Sequence, residues 1–131
     1  MMSTGLVIFA HGSSVEAANE AVRRVARAVA GRSGFDRVET AFLEMASPDL
    51  PEAIQRLRAQ GIRRVVVMPY FLTPGIHIRR DLPRIVESIS NIHQDVEIQV
   101  SESLEGHPAL ADIVLARAEE IRSAWLGEAV R

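Results

Sequence analysis

Four apolar, mostly β-branched runs alternate along the chain with four stretches whose apolar positions recur at helical spacing. Gly5–Ala10 (GLVIFA) reads as a first strand. From about Ser14 to Gly31 the positions Ala18, Val22, Val25, Ala26 and Val29 line one face of a helix, which Gly31 and Gly34 close. Arg37–Leu43 alternates weakly and gives a second strand. Ser47-Pro48-Asp49-Leu50-Pro51-Glu52 then opens a helix, with Ser47 expected as its N-cap and proline in its first position. Leu50, Ile54 and Leu57 form its inner face, and Gly61 stands where a left-handed residue would end it. Arg64–Met68 (RVVVM) is the most continuous apolar run, as suits a central strand of a parallel sheet buried on both faces. The stretch Pro69–His77 is too long and too apolar for a plain connector. A third helix turns Leu82, Ile85, Val86 and Ile89 inward, Val96–Val100 is the fourth strand, and a last helix from near Pro108 is expected to bury Leu110, Ile113, Val114, Ile121 and Trp125.

The order βαβαβαβα implies an α/β fold: a three-layer domain with a four-stranded parallel sheet and helices on both faces. At 131 residues the chain matches the usual size of one domain, so a single unit over residues 1–131 is expected. A hydrophobic share of 47% and a charged share of 24% are ordinary for a soluble globular protein. The net charge of −2, with no basic run interleaved with aromatics, offers no field for nucleic acid or an anionic membrane. No apolar segment approaches transmembrane length, and the apolar N-terminal run lacks a cationic leader, so the cytoplasm is the expected compartment. With no cysteine, thiolate metal sites, iron–sulfur clusters, disulfides and cysteine nucleophiles are excluded. The first turn reads AHGSSVE, neither a dinucleotide fingerprint nor a phosphate-cradling P-loop.

In a sheet of this kind, ligands bind outside the carboxyl ends of the strands, where strand order reverses. The residues just after each strand are therefore the informative ones. They are His11, Gly12, Ser13 and Ser14 after the first, Glu44 after the second, His77 in the long stretch after the third, and Glu102, Glu105 and His107 after the fourth. Imidazoles and a carboxylate thus fall on one edge. Such donors suit Co²⁺, Ni²⁺, Fe²⁺ or Zn²⁺, and two or three protein ligands leave positions open for a metal that is to be handed on. Plainer roles exist for each. His11 and Ser13 also suit a turn and helix cap, Glu44 a solvated surface, His107 a helix start, and Arg79 and Arg80 a solvated face or a clamp for substrate carboxylates.

Four segments, AHGSS, AFLE, MPYFLTPGIHIRRDLP and GHPAL, together resemble the CbiX/SirB group of class II chelatases over Gly5 to about Ala111. The resemblance implies a chelatase-like (flavodoxin-like) fold. It also implies ATP-independent insertion of a divalent metal into sirohydrochlorin, an octacarboxylate tetrapyrrole, for cobalamin, sirohaem or related biosynthesis. The group's metal-binding histidines fall on His11 and His77 and its assisting carboxylate on Glu44. Ser13, Ser14, Phe71, Leu72, Gly75, Arg79 and Arg80 would then contact the substrate. The metal, Co²⁺ in preference to Ni²⁺ or Fe²⁺, is a substrate, and no permanent cofactor is implied. Ser14 replaces the basic residue common after HGS in that group, so that contact is missing or is supplied by Arg79 or Arg80. The short form implied by this length is a homodimer. Competing readings are a carrier that binds metal or tetrapyrrole without turnover, a protein-binding module of flavodoxin type, and a phosphohistidine enzyme. The last is disfavoured because Ala10, not arginine, precedes His11.

Overall fold

A computed structural model describes residues 3–129. Strands β1 (Thr4–Ala10), β2 (Arg37–Phe42), β3 (Arg64–Pro69) and β4 (Glu97–Val100) alternate with helices α1 (Glu16–Ala30), α2 (Leu50–Ala59), α3 (Ile76–Ile92) and α4 (Ala109–Ala129). All strand pairings are parallel and the spatial order is β2-β1-β3-β4. β1 pairs with β2 in register Gly5 to Arg37 and with β3 in register Thr4 to Arg64, so both flanking strands start level with it.

Because side chains alternate across a strand, the sheet sorts its residues into two apolar layers. Val7, Phe9, Val65 and Val67 face α2 and α3 and pack with Leu50, Ile54, Leu57, Leu82 and Ile89. Leu6, Ile8, Val66 and Met68 face α1 and pack with Val22, Ala26 and Val29. The expected face of α1 is turned slightly: Ala18 and Val25 lie exposed, and Asn19 takes the buried place. α2 is capped by Asp49, not Ser47. The Asp49 carboxylate accepts from the Glu52 N–H at 2.9 Å, and Pro51 sits in the first turn where its missing N–H costs nothing. Gly61 does follow that helix with φ +87°.

α3 begins at Ile76, so His77 lies in a first helical turn and not in the loop before it. Gly75, extended at φ −70° and ψ 166°, provides its N-cap position. Pro83 sits inside α3; it lacks the N–H that would otherwise bond the Arg79 carbonyl.

The last helix departs furthest from expectation. α4 forms, but Ile113, Val114, Ile121 and Trp125, expected in the core, are each more than half exposed, as are Leu115 and Leu126. Only Leu110 of the expected set is half-buried. Its large apolar side chains cover more than half of the helix circumference, with a narrower strip carrying Asp112, Glu119, Glu120 and Ser123; a helix with so broad an apolar arc is built for burial. Among the described residues no element packs extensively against it, and α1 is the helix that packs on the Leu6–Ile8 face of the sheet.

Candidate active site

The strand order reverses between β1 and β3: the chain leaves β1 toward β2 on one side and returns to β3 on the other. The crevice of this sheet therefore opens at the carboxyl ends of β1 and β3. His11 directly follows β1, and the segment leading to His77 directly follows β3.

Parallel pairing runs on past the strand ends and fixes the edge. Leu43 N–H donates to the Ala10 carbonyl at 2.9 Å and Glu44 N–H to the His11 carbonyl at 3.1 Å. Tyr70 N–H reaches the Phe9 carbonyl at 2.7 Å. These bonds hold Glu44 beside His11, and the Glu44 Oε1 to His11 Nδ1 distance is 3.6 Å with both side chains more than half exposed. Gly12 makes the approach feasible. It has φ +89°, and a Cβ there would lie 1.8 Å from the Glu44 carbonyl oxygen. Met45, the residue after Glu44, is left-handed at φ +68°. Backbone strain of this kind, in a residue with a Cβ, is characteristic of functional edges.

The turn after His11 is pinned from below. Asn19, 2% exposed, is the one buried polar residue among those described. Its Oδ1 accepts from Ser13 N–H at 2.9 Å and its Nδ2 donates to the Ser13 carbonyl at 2.8 Å, a two-point clamp on the backbone. The same Nδ2 reaches Glu16 at 3.3 Å. Glu16 accepts from Arg23, whose guanidinium lies 5.4 Å above the Phe42 ring and so ties α1 to the end of β2. That hydrogen bond, followed by the one from Asn19, holds the Glu16 carboxyl below the usual carboxylate range; Arg27 does the same for Glu20. Sequence reasoning missed Asn19, although a polar residue at i+8 from His11 on the inner face of α1 was the available signal. Ser13 does not cap α1, which starts after Val15; its hydroxyl accepts from the Val15 N–H at 3.0 Å within the turn.

The remaining predicted residues divide. His77 lies exposed on the first turn of α3 with its Nδ1 3.3 Å from the Arg80 guanidinium. The structure thus joins His11 with Glu44, while His77 stands apart on the neighbouring element. Among the described residues no three His, Asp or Glu groups gather closely enough to hold a metal. Arg79 pairs with Glu105 at 2.9 Å and Arg80 with Asp81 at 3.2 Å. Phe71 turns inward, edge-on to Phe9 with centroids 6.2 Å apart, and joins the core. Ser14, Leu72 and Gly75 are exposed on the edge. His107 accepts from Ala109 N–H at 3.0 Å and so shapes the start of α4. An apolar groove of about 510 Å³ runs along α3 past Ile78, Leu82, Val86 and Val100 but does not include His11 or Glu44. No helix among the described residues is long and apolar enough to cross a membrane.

Known proteins are similar to this chain along nearly its full length. A Methanocaldococcus jannaschii sirohydrochlorin cobaltochelatase is 30% identical over 86% of this chain and 96% of its own. The Methanopyrus kandleri sirohydrochlorin cobaltochelatase is 27% identical over 88% and 94%. The crystal structure of a CbiX protein from Marinobacter aquaeolei superposes with a TM-score of 0.82 at 26% identity, covering 92% of this chain and 98% of that one. A cobalt complex of the sirohydrochlorin chelatase SirB from Bacillus subtilis, at 19% identity, shares the fold with a TM-score of 0.85, and this chain covers 51% of it. Residues 5–121, which carry β1, the His11 turn, Glu44, His77 and most of α4, match the CbiX family, and the chain belongs to it.

Proposed function

We propose that this chain is an ATP-independent chelatase that inserts a divalent metal, Co²⁺ in preference to Ni²⁺ or Fe²⁺, into sirohydrochlorin. The observation that carries the reading is the His11–Glu44 pair, set 3.6 Å apart at the switch point of the sheet in a CbiX-family chain. Membership of a family whose curated relatives are named sirohydrochlorin cobaltochelatases supports the substrate.

His11, with Glu44 beside it, and His77, brought in from the neighbouring element, take up the metal. Two imidazoles on separate elements leave most of the coordination sphere open, as a site that releases its ion must. Insertion exchanges one M²⁺ for the two pyrrolic N–H protons of the macrocycle, and the charge balances. Glu44, an exposed carboxylate within reach of His11, accepts one departing proton and passes it to solvent, and an imidazole freed of metal accepts the other. The histidines bind metal only as neutral rings, so insertion slows on acidification. Arg79 and Arg80 exchange their present partners, Glu105 and Asp81, for substrate carboxylates, with Ser13, Ser14, Leu72 and Gly75 lining the same edge and Phe71 supporting it from the core. Swapping one exposed ion pair for another costs little. The metal is consumed as substrate and no permanent cofactor takes part. The unit is residues 1–131, working as a cytoplasmic homodimer.

Turnover tests this reading. Anaerobic incubation of catalytic amounts of protein with sirohydrochlorin and Co²⁺ should metallate many macrocycles per chain, seen as a change in their absorbance. Stoichiometric uptake without release would replace the enzyme with a carrier.

A further inference from the structure

The backbone of His107 is fully committed, and so is one side of its ring. Its N–H donates to the Leu104 carbonyl at 3.1 Å, and its carbonyl accepts from Leu110 N–H at 3.0 Å. Its Nδ1 accepts from Ala109 N–H at 3.0 Å. A main-chain N–H can only donate, so Nδ1 offers a lone pair and the neutral ring carries its proton on Nε2. His107 is exposed, and that Nε2–H has no partner among the described residues. The same tautomer keeps the ring from ligating a metal, since one nitrogen is engaged and the other protonated.

The mount follows from the sequence. Leu104–His107 closes a four-residue turn with Gly106 at φ +76°, the third position of a type II turn, which favours glycine. Pro108 then holds His107 to extended backbone. Leu104 N–H donates to the Phe71 carbonyl at 3.2 Å, and Glu105 pairs with Arg79 at 2.9 Å. The turn is thereby tied to the segment that leads into His77 and to the start of α3.

We infer that His107 binds a peripheral carboxylate of the tetrapyrrole, its Nε2–H donating while Ala109 N–H holds Nδ1. This rests on the chelatase reading above and adds to it a contact outside the metal site. Position supports it. The turn lies past the ends of β3 and β4, one to two strand spacings from β1, or about 5–10 Å. With the centre of the macrocycle at His11, its carboxylate-bearing periphery falls over this ground. Demand supports it as well. In the segments that form the carboxyl edge, 11–15, 43–49, 70–80 and 101–108, Arg79 and Arg80 are the only arginines and there is no lysine. An octacarboxylate substrate calls for more donors than these two. A cap alone would be served by Asp, Asn or Ser; imidazole adds a second, outward-facing donor. Arg79 at the same turn offsets the charge of Glu105, which would otherwise repel the ligand.

Three substitutions separate the contact from the cap. In His107→Asp and His107→Asn a side-chain oxygen takes over the bond from Ala109 N–H as an Asx-turn, whereas His107→Ala loses cap and donor together. Metal-free sirohydrochlorin is titrated against each protein by its fluorescence. Calorimetry gives Co²⁺ affinity without the macrocycle, insertion gives KM and kcat, and circular dichroism follows folding. His107→Asp, which loses the donor and adds a like charge, should raise both the sirohydrochlorin Kd and KM at least tenfold. His107→Asn, neutral but too short to reach, should raise them about threefold. In both, kcat at saturation, Co²⁺ affinity and melting temperature should match the wild type. A purely structural cap predicts the reverse, with His107→Ala destabilised and His107→Asp unchanged in KM; that order overturns the contact. So does an unchanged KM in His107→Ala, or a loss of Co²⁺ affinity in His107→Asp. A wild type that neither binds nor metallates sirohydrochlorin overturns the chelatase reading itself and this contact with it.

Discussion

Gly12→Ala is the substitution that most sharply probes how the fold builds its site. A methyl group at residue 12 would lie 1.8 Å from the Glu44 carbonyl oxygen and 2.9 Å from its carbon. Carbon meets a non-bonded neighbour at about 3.5 Å, so the Glu44 backbone would have to retreat by roughly 1.7 Å. Glu44 N–H donates to the His11 carbonyl at 3.1 Å, and that bond would break in the retreat. Its loss costs about 1 kcal/mol. Holding alanine at φ +89° adds about 1–2 kcal/mol. The expected destabilisation is therefore about 2–3 kcal/mol, a sizeable part of the ~5–15 kcal/mol that a domain of this kind possesses.

The chemical consequence is separate from the thermodynamic one. Moving Glu44 away from His11 by more than 1 Å should reduce metal insertion about 10²-fold even in molecules that remain folded. Urea unfolding followed by circular dichroism gives the first quantity, and insertion measured well below the unfolding midpoint gives the second. A Gly12→Ala protein within about 0.5 kcal/mol of wild type, with unchanged turnover, would refute the claim that this close approach aligns the site.

Other predictions follow from the same geometry. Asn19→Ala removes both ends of the clamp on Ser13 and should cost about 2–3 kcal/mol in urea unfolding, with slower insertion because the His11 turn loosens. Asp49→Ala should cost about 1 kcal/mol through the lost cap of α2 while leaving insertion unchanged, which separates helix stability from the site. The hydrogen bond from Arg58 holds the Asp95 carboxyl below its ordinary range in the folded chain. A depressed carboxyl stabilises the fold above its unfolded pKa, and the contribution is lost as pH falls through the folded value. Thermal stability should accordingly fall on acidification below about pH 4, and Asp95→Asn should flatten that decline; an equally steep profile in the variant would show that the pair is not responsible.

The βαβαβαβα order, the parallel sheet and the placement of His11 and Glu44 on one edge were legible because each rests on a local signal. β-branched runs mark strands, and residues after a strand fall on its carboxyl edge whatever the tertiary detail. The fate of α4 was not legible in that way. Periodicity shows that Ile113, Ile121 and Trp125 seek burial, but not whether the burying surface belongs to the same chain. The cap of α2 moved from Ser47 to Asp49 because both are good caps two residues apart, and only the backbone decides which one meets a free N–H. His77 shifted from loop to helix for a similar reason: Gly75, taken for loop chemistry, is the N-cap. Asn19 was hidden by its neighbours, since Ala18 and Val25 drew the predicted inner face one step round the helix.

The most direct test of the account is metal insertion by His11→Ala and His77→Ala beside the wild type, anaerobically, with sirohydrochlorin and Co²⁺ at neutral pH. Folding is checked by circular dichroism. Both variants are expected to remain folded, since both imidazoles are exposed, and to fall to the rate of the metal-only control. Wild-type turnover that survives in either folded variant would contradict the assignment of the metal to His11 and His77.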